Sequence, residues 1–260
     1  TRMYNTYYSP NRVANGNFAQ IGNEEVENGN FSEIGSEEVT DGNFPLPNTN
    51  WILGGGNPPT IGTNDVAINS VDNNSYIQQS GILTSGKYYK ITYDVISASA
   101  TSNVLKLASS FGLGSIPTSV GTQIVYGTAI SSTLYIERYT NGVNATITNV
   151  SVKEVGQDWE FGGGWGMGDG VATATSGSGT ASKLRQTISG LSGKSAKVTL
   201  DVSNYGGNGL ILIDFGSTGS GYITSNGTHT FYGNYDQNYF ELYKTDDFSG
   251  DIDNISVKEV

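Results

Sequence analysis

The chain has no cysteine, one histidine, two methionines and six prolines in 260 residues. Without cysteine there is no disulfide and no thiolate-bound metal, and the redox compartment leaves no mark on the sequence. A lone His229 excludes any site built from several imidazoles. A Ser–His–Asp triad would have to use it, yet it sits in Asn226-Gly227-Thr228-His229-Thr230-Phe231, a turn running into a strand, with no Gly-x-Ser-x-Gly elbow nearby. Charged residues make up only 14%, and Lys plus Arg number 13 against 24 Asp plus Glu, for a net charge of −11. Such a balance repels phosphate backbones and anionic lipid, so neither nucleic-acid binding nor membrane insertion is expected. Amphipathic helical runs are missing, and no apolar stretch approaches membrane-spanning length. The start, Thr1 to Tyr8, lacks the apolar core of a signal peptide.

Glycine is abundant (36), and tyrosine outnumbers phenylalanine 16 to 9. With plentiful Ser, Thr and Asn, this suits short strands joined by tight turns, an all-β protein. Two stretches repeat. Thr146-Ile147-Thr148-Asn149-Val150-Ser151-Val152-Lys153-Glu154-Val155 returns as Asp251-Ile252-Asp253-Asn254-Ile255-Ser256-Val257-Lys258-Glu259-Val260, seven of ten positions identical at a spacing of 105. Gly86-Lys87-Tyr88-Tyr89-Lys90-Ile91-Thr92-Tyr93-Asp94-Val95 parallels Gly193-Lys194-Ser195-Ala196-Lys197-Val198-Thr199-Leu200-Asp201-Val202. All four segments alternate apolar and polar residues, as half-buried strands do. Trp51-Ile52-Leu53-Gly54-Gly55-Gly56 and Trp159-Glu160-Phe161-Gly162-Gly163-Gly164 add a third landmark in the same order. The chain therefore divides into residues 1–40, a first β-sandwich at 41–155 and a second at 156–260.

The leader has its own period of 13: Ala14 to Val26, Glu27 to Val39, and a third copy beginning Thr40-Asp41-Gly42-Asn43-Phe44. Each copy offers one Phe, one Ile and one Val, too little for a core of its own. Residues 1–40 are expected to be an extended arm ordered against another surface, with a disordered acidic leader as the competing reading.

Asn-Gly-Asn-Phe, a Trp with a Gly-rich turn, Gly-Lys-x-Tyr-x-Ile-Thr-x-Asp-Val, and Asp-Asn-Ile-Ser-Val-Lys-Glu-Val together resemble the carbohydrate-binding-module jelly rolls (CBM4/9-like) of bacteriophage virion proteins. The resemblance implies two tandem jelly-roll-like antiparallel β-sandwiches. It also implies a structural calcium, marked by Asn43 and Asn149 in the first domain and by Asp251 and Asp253 in the second; no other cofactor is expected. The first pair is neutral where the family prefers carboxylates. Function follows as a non-enzymatic virion surface protein, a capsid decoration or fibre component. Tyr4, Tyr7, Tyr8, Pro10 and Arg12 would dock on other virion proteins or on copies of the chain, and a homo-oligomer is expected. A secreted carbohydrate-binding module or adhesin is the alternative.

Sugar binding by sandwiches uses aromatic rings stacked on pyranose faces, with amides and carboxylates bonding hydroxyls. Trp165, Tyr222, Tyr232, Asn234, Tyr235, Asp236 and Tyr239 form the candidate set for host-surface glycans, with core or subunit-interface rings as the competing reading. The repeated pair Asp94 and Asp201 points to a shared structural role rather than to one active site.

Overall fold

The computed structural model describes residues 20–69, 74–177, 182–207, 209, 211–216, 220–245 and 247–260. The first half forms β1 (Ile34–Glu37), β2 (Ile52–Gly54), β3 (Thr60–Ile61), β4 (Val66–Ile68), β5 (Tyr76–Ser80), β6 (Tyr88–Ala98), β7 (Leu105–Leu107), one helical turn α1 (Ala108–Phe111), β8 (Leu113–Ile116), β9 (Gly121–Thr128), β10 (Thr133–Arg138) and β11 (Ala145–Val155). The second half forms β12 (Glu160–Phe161), β13 (Trp165–Gly168), β14 (Val171–Ala174), β15 (Ser182–Thr187), β16 (Ser195–Gly206), β17 (Ile211–Asp214), β18 (Ser220–Ile223), β19 (Gly227–Asn234), β20 (Tyr239–Lys244) and β21 (Ser249–Glu259).

Sheet orders β3-β4-β11-β6-β9 and β2-β5-β10-β7-β8 in the first half recur as β13-β14-β21-β16-β19 and β12-β15-β20-β17-β18 in the second. Two antiparallel sandwiches thus share one jelly-roll-like topology. Alternation explains the layering: Tyr89, Ile91, Tyr93 and Val95 of β6 are buried, as are Ala196, Val198, Leu200 and Val202 of β16, while the residues between them face outward. Tyr88 packs on Phe161 (centroids 5.2 Å), and the Tyr126 hydroxyl donates to Asp169 at 2.7 Å, so the sandwiches touch.

The repeated closing strand has a specific defect. Asn149 and Asn254 both sit at φ 51°, left-handed, where β11 and β21 shift register against β6 and β16. Asparagine tolerates this conformation better than most side chains, and the extra residue makes a bulge. Each Asn amide donates to the carboxylate of Asp94 (2.7 Å) or Asp201 (2.9 Å), which also accepts from Thr122 (2.6 Å) or Thr228 (2.5 Å). The repeated aspartates are therefore clamps across the bulge. The Thr122 hydroxyl first, then Asn149, lowers the Asp94 pKa, and Thr228 and Asn254 do the same for Asp201. Depressed carboxylates add stability above their ordinary pKa, about 3.9, and lose it as pH falls through the lowered value. Urea unfolding between pH 6 and 2 should show Asp94→Asn and Asp201→Asn flattening that acid limb, each by a small amount because both groups face solvent.

The bulge exposes an amide, and the leader uses it. Val150 N–H donates to the Gly42 carbonyl and Ile255 N–H to that of Gly29, both at 2.9 Å. A Cβ on either glycine would collide with the carbonyl oxygen of Val150 or Ile255, so only glycine permits the approach. Two residues on, Phe44 and Phe31 are fully buried against Trp51 (5.0 Å) and Trp159 (5.1 Å). Both phenylalanines adopt positive φ, 52° and 50°, strain that a fully packed ring offsets. Each indole N–H donates back to the leader, to Asp41 O at 2.9 Å and Asn28 O at 3.1 Å.

The contacts upstream match too. Glu37 accepts from the Ser151 hydroxyl and the Val152 amide, as Glu24 does from Ser256 and Val257. Gln79 and Gln186 bond both ways to the backbone of Thr40 and Glu27. Val39 and Val26 enter the two cores. Residues 34–44 thus plug the first sandwich, and residues 21–31 plug the second.

This corrects the expectation of an extended arm through residue 40. The leader indeed lacks enough apolar residues for its own core, but from Ile21 on it completes the cores of both sandwiches. Tyr4, Tyr7, Tyr8, Pro10 and Arg12 lie outside the described residues.

Candidate functional site

The outer face of the β12-β15-β20-β17-β18 sheet gathers polar and aromatic side chains by simple alternation. Leu184, Phe240 and Leu242 are buried inward, leaving Lys183, Arg185, Tyr239, Glu241 and Tyr243 on the opposite face. Antiparallel register sets Lys183 beside Tyr243, Arg185 beside Glu241 and Thr187 beside Tyr239, and Leu212 links Tyr243 to Tyr222 in the same row. Lys183 Nζ lies 4.5 Å from the Tyr243 ring centroid, and the Arg185 guanidinium carbon 4.2 Å from that of Tyr239.

Glu241 is completely buried although it belongs to the outward row. The neighbouring side chains roof it over. Arg185 Nε donates to its Oε2, and Lys183 Nζ lies 3.3 Å from Oε1. A buried carboxylate needs such partners, because desolvation costs several kcal/mol. A hydrogen bond with Tyr243 first, and then the Glu241 charge, raise the Lys183 pKa against the opposing effect of burial. The outcome is a fixed shelf. Its rings and cations are already held in place, so little rotamer entropy remains to be lost on binding. Tyr222, 62% exposed, extends the row toward solvent.

Two recesses flank this shelf, and Glu160 of edge strand β12 lines both. One, about 370 Å³, lies between Phe161, Gly162, Lys183 and Arg185. The other, about 540 Å³, is lined by Glu25, Glu27, Asp158 and Trp159, with Lys87 from the first sandwich and Gln186 at its base. The corresponding face of the first sandwich carries a different set of side chains. Tyr76 lies over Gly54, its ring edge-on to Tyr135 at 5.5 Å, and Glu137 accepts from the Ser109 amide at 2.9 Å.

The seven sugar candidates separate into distinct places. Tyr222 and Tyr239 lie on the shelf. Trp165 (6% exposed) and Tyr235 (1%) belong to the hydrophobic core, a correction: their rings pack on Phe248 and Phe215 and present no face to a ligand. Tyr232 is exposed on β19 of the opposite sheet beside Lys197, and Asn234 near it accepts from the Ser195 hydroxyl at 2.6 Å. Asp236 is exposed in the turn between β19 and β20. Lys183, Arg185, Glu241 and Tyr243 were missing from the set. The alternation Tyr239-Phe240-Glu241-Leu242-Tyr243 marks two of them, whereas the two cations come from a strand paired more than 50 residues away.

The calcium residues do not fit an ion. Asn149 is engaged with Asp94, Asp251 accepts from Asn204 at 2.6 Å, Asp253 accepts from the Asn254 amide at 2.7 Å, and Asn43 faces solvent. Among the described residues no three Asp, Glu or His side chains converge on a metal position. The His229 ring bonds the Ser225 carbonyl at 2.9 Å and stacks on Phe231.

No family model matches the chain. A search of curated proteins finds no match either. Among solved structures the chain is similar to the N-terminal CBM22-1-CBM22-2 tandem domain from Paenibacillus barcinonensis Xyn10C, at 10% identity over 88% of this chain and 98% of that one, with a TM-score of 0.36. It is also similar to a Paenibacillus xanthan lyase, at 13% identity over 75% of this chain and 23% of that one, with a TM-score of 0.27. At scores this low, the functional reading rests on the chain's own surface.

Proposed function

We propose that the protein is a non-enzymatic glycan-binding module whose sugar site is the outer shelf of the second sandwich. The observation that carries this reading is the row Tyr222, Leu212, Tyr243, Lys183, fixed over a buried Glu241 and continuous with two polar recesses. Rings of Tyr222 and Tyr243 supply faces for apolar sugar C–H groups. Lys183, Arg185 and Glu160 supply bonds to hydroxyls at the rim. The finer setting we infer is a bacteriophage virion surface, as decoration or fibre, with residues 1–13 docking on the particle; the motif resemblance supports it.

Glycan-array screening of the full chain, followed by calorimetry on the best binder, tests the reading. Tyr222→Ala and Tyr243→Ala should each weaken binding about tenfold, the equivalent of 1.4 kcal/mol. Tyr232→Ala, on the opposite sheet, should leave binding unchanged. An empty array, or affinity that survives the double substitution on the shelf, rules the site out. Immunogold labelling of virions in electron micrographs tests the setting separately.

A further inference from the structure

Each sandwich sets two lysines and a tyrosine side by side on its outer face. In the first, Lys90 of β6 stands between Lys153 of β11 and Tyr126 of β9. In the second, Lys197 of β16 stands between Lys258 of β21 and Tyr232 of β19, in the same register. Like charges directly opposite each other on a sheet repel, so each lysine pair favours a nearby anion. The first set has one. The hairpin between β13 and β14 places Asp169 there, its Oδ1 accepting from the Tyr126 hydroxyl at 2.7 Å and lying 3.6 Å from Lys90 Nζ. The second set keeps all three residues, yet Lys197 makes no ion pair among the described residues. Lys258 meets Glu24 of the leader, at 3.8 Å. That carboxylate does not replace the one that Asp169 supplies, because Glu37 holds the equivalent place in the first sandwich, where Asp169 is present as well.

What differs around the second set defines its ligand. Ser195 stands where Tyr88 packs on Phe161, so the ring that locks a neighbouring sandwich in place is missing. What remains is polar and open. A recess of about 270 Å³ is lined by Lys197, Lys258, Thr199 and Ser256, with Ile21 and Gly22 of the leader at its edge. Tyr232, 66% exposed, flanks Lys197 on the side away from Lys258. We propose that this recess is a second ligand site, for a sugar acid of the uronate class. The sugar carboxylate takes the position that Asp169 has in the first sandwich, held by Lys197 and the Tyr232 hydroxyl with Lys258 alongside. Its hydroxyls meet Thr199 and Ser256, and its C–H groups meet Ile21, which is half exposed. The two sheets of a sandwich lie about 10 Å apart, so this site and the shelf are separate.

Methyl glucuronide and its neutral counterpart methyl glucoside, titrated into the full-length chain and followed by saturation-transfer NMR, test the site. The glucuronide should saturate with a dissociation constant of about 1 mM, a scale set by a single sugar ring, and bind about tenfold tighter than the glucoside. Lys197→Gln and Lys258→Gln should each weaken it about fivefold, and the double variant should bind the two sugars alike. Added salt should weaken the glucuronide and leave the glucoside as it was. Tyr222→Ala/Tyr243→Ala protein, stripped of the shelf rings, should take up the glucuronide as the wild type does, so a failure of the shelf and a failure of this site read differently. Equal affinity for both sugars in the wild type, absence of saturation, or full binding by the double lysine variant overturns the proposal. N-acetyl-aspartate amide bound as tightly as the glucuronide also overturns it, and gives the site to an acidic peptide.

Discussion

Deleting residues 1–32 should unfold the second sandwich and leave the first standing. The deletion removes Val26 and Phe31 from the second core and exposes one face of Trp159. Losing a buried phenylalanine alone costs about 3–5 kcal/mol. The amide of Ile255, the indole of Trp159 and the side chain of Gln186 also lose their partners, at about 1 kcal/mol or more each. Together these approach the whole stability of a domain, about 5–15 kcal/mol. The first sandwich keeps its plug at 34–44 and its own core. Limited proteolysis with mass spectrometry should find cleavage throughout residues 156–260 and resistance across 34–155, and calorimetry should show one remaining cooperative transition. Resistance of both halves would contradict the crossing.

Two single substitutions should separate the halves as cleanly. In Gly29→Val the new Cβ meets the Ile255 carbonyl, so the second sandwich should lose about 3 kcal/mol or more, a fall of roughly 10–20 °C in its melting step. In Gly42→Val the collision is with Val150, and the first sandwich should melt early instead. Calorimetric scans of both variants read the effect directly. Both substitutions destabilising the same transition would contradict the assignment of one plug to each sandwich.

Much of the architecture was legible because it is local. Alternation in Tyr88 to Val95 and in Lys194 to Val202 gives strand and face, and the repeated closing strand gives two related domains. The leader was misread for a reason of framing. A repeat has no intrinsic start, and counting from Ala14 to Val26 splits the physical unit. The working segment runs from Ile21 to Phe31 and again from Ile34 to Phe44, joining the Ile-Gly-x-Glu-Glu-Val half of one copy to the Gly-Asn-Phe half of the next. Its partners lie more than 230 residues away for the second sandwich, as with the Val257 amide on Glu24, a distance that periodicity does not reach. Positive φ at Phe31 and Phe44 is equally silent in the sequence, because tertiary packing imposes it.

The candidate site was half legible. Tyr222 and Tyr239 were singled out as aromatic rings, and they share a sheet face. Trp165 and Tyr235 were chosen on the same ground, but their strands turn them inward, which depends on where neighbouring strands pair. Lys183 and Arg185 become meaningful only once β15 lies beside β20, and that register is a product of the finished sheet.

The crossed plugs also set a schedule for synthesis. The segment that completes the second sandwich leaves the ribosome long before its receiving strand, which ends at residue 259. At translation rates of about 5–20 residues per second, Val26 and Phe31 wait about 10–50 s with no seat to enter. Throughout that interval their apolar side chains remain open to chaperones and to neighbouring nascent chains.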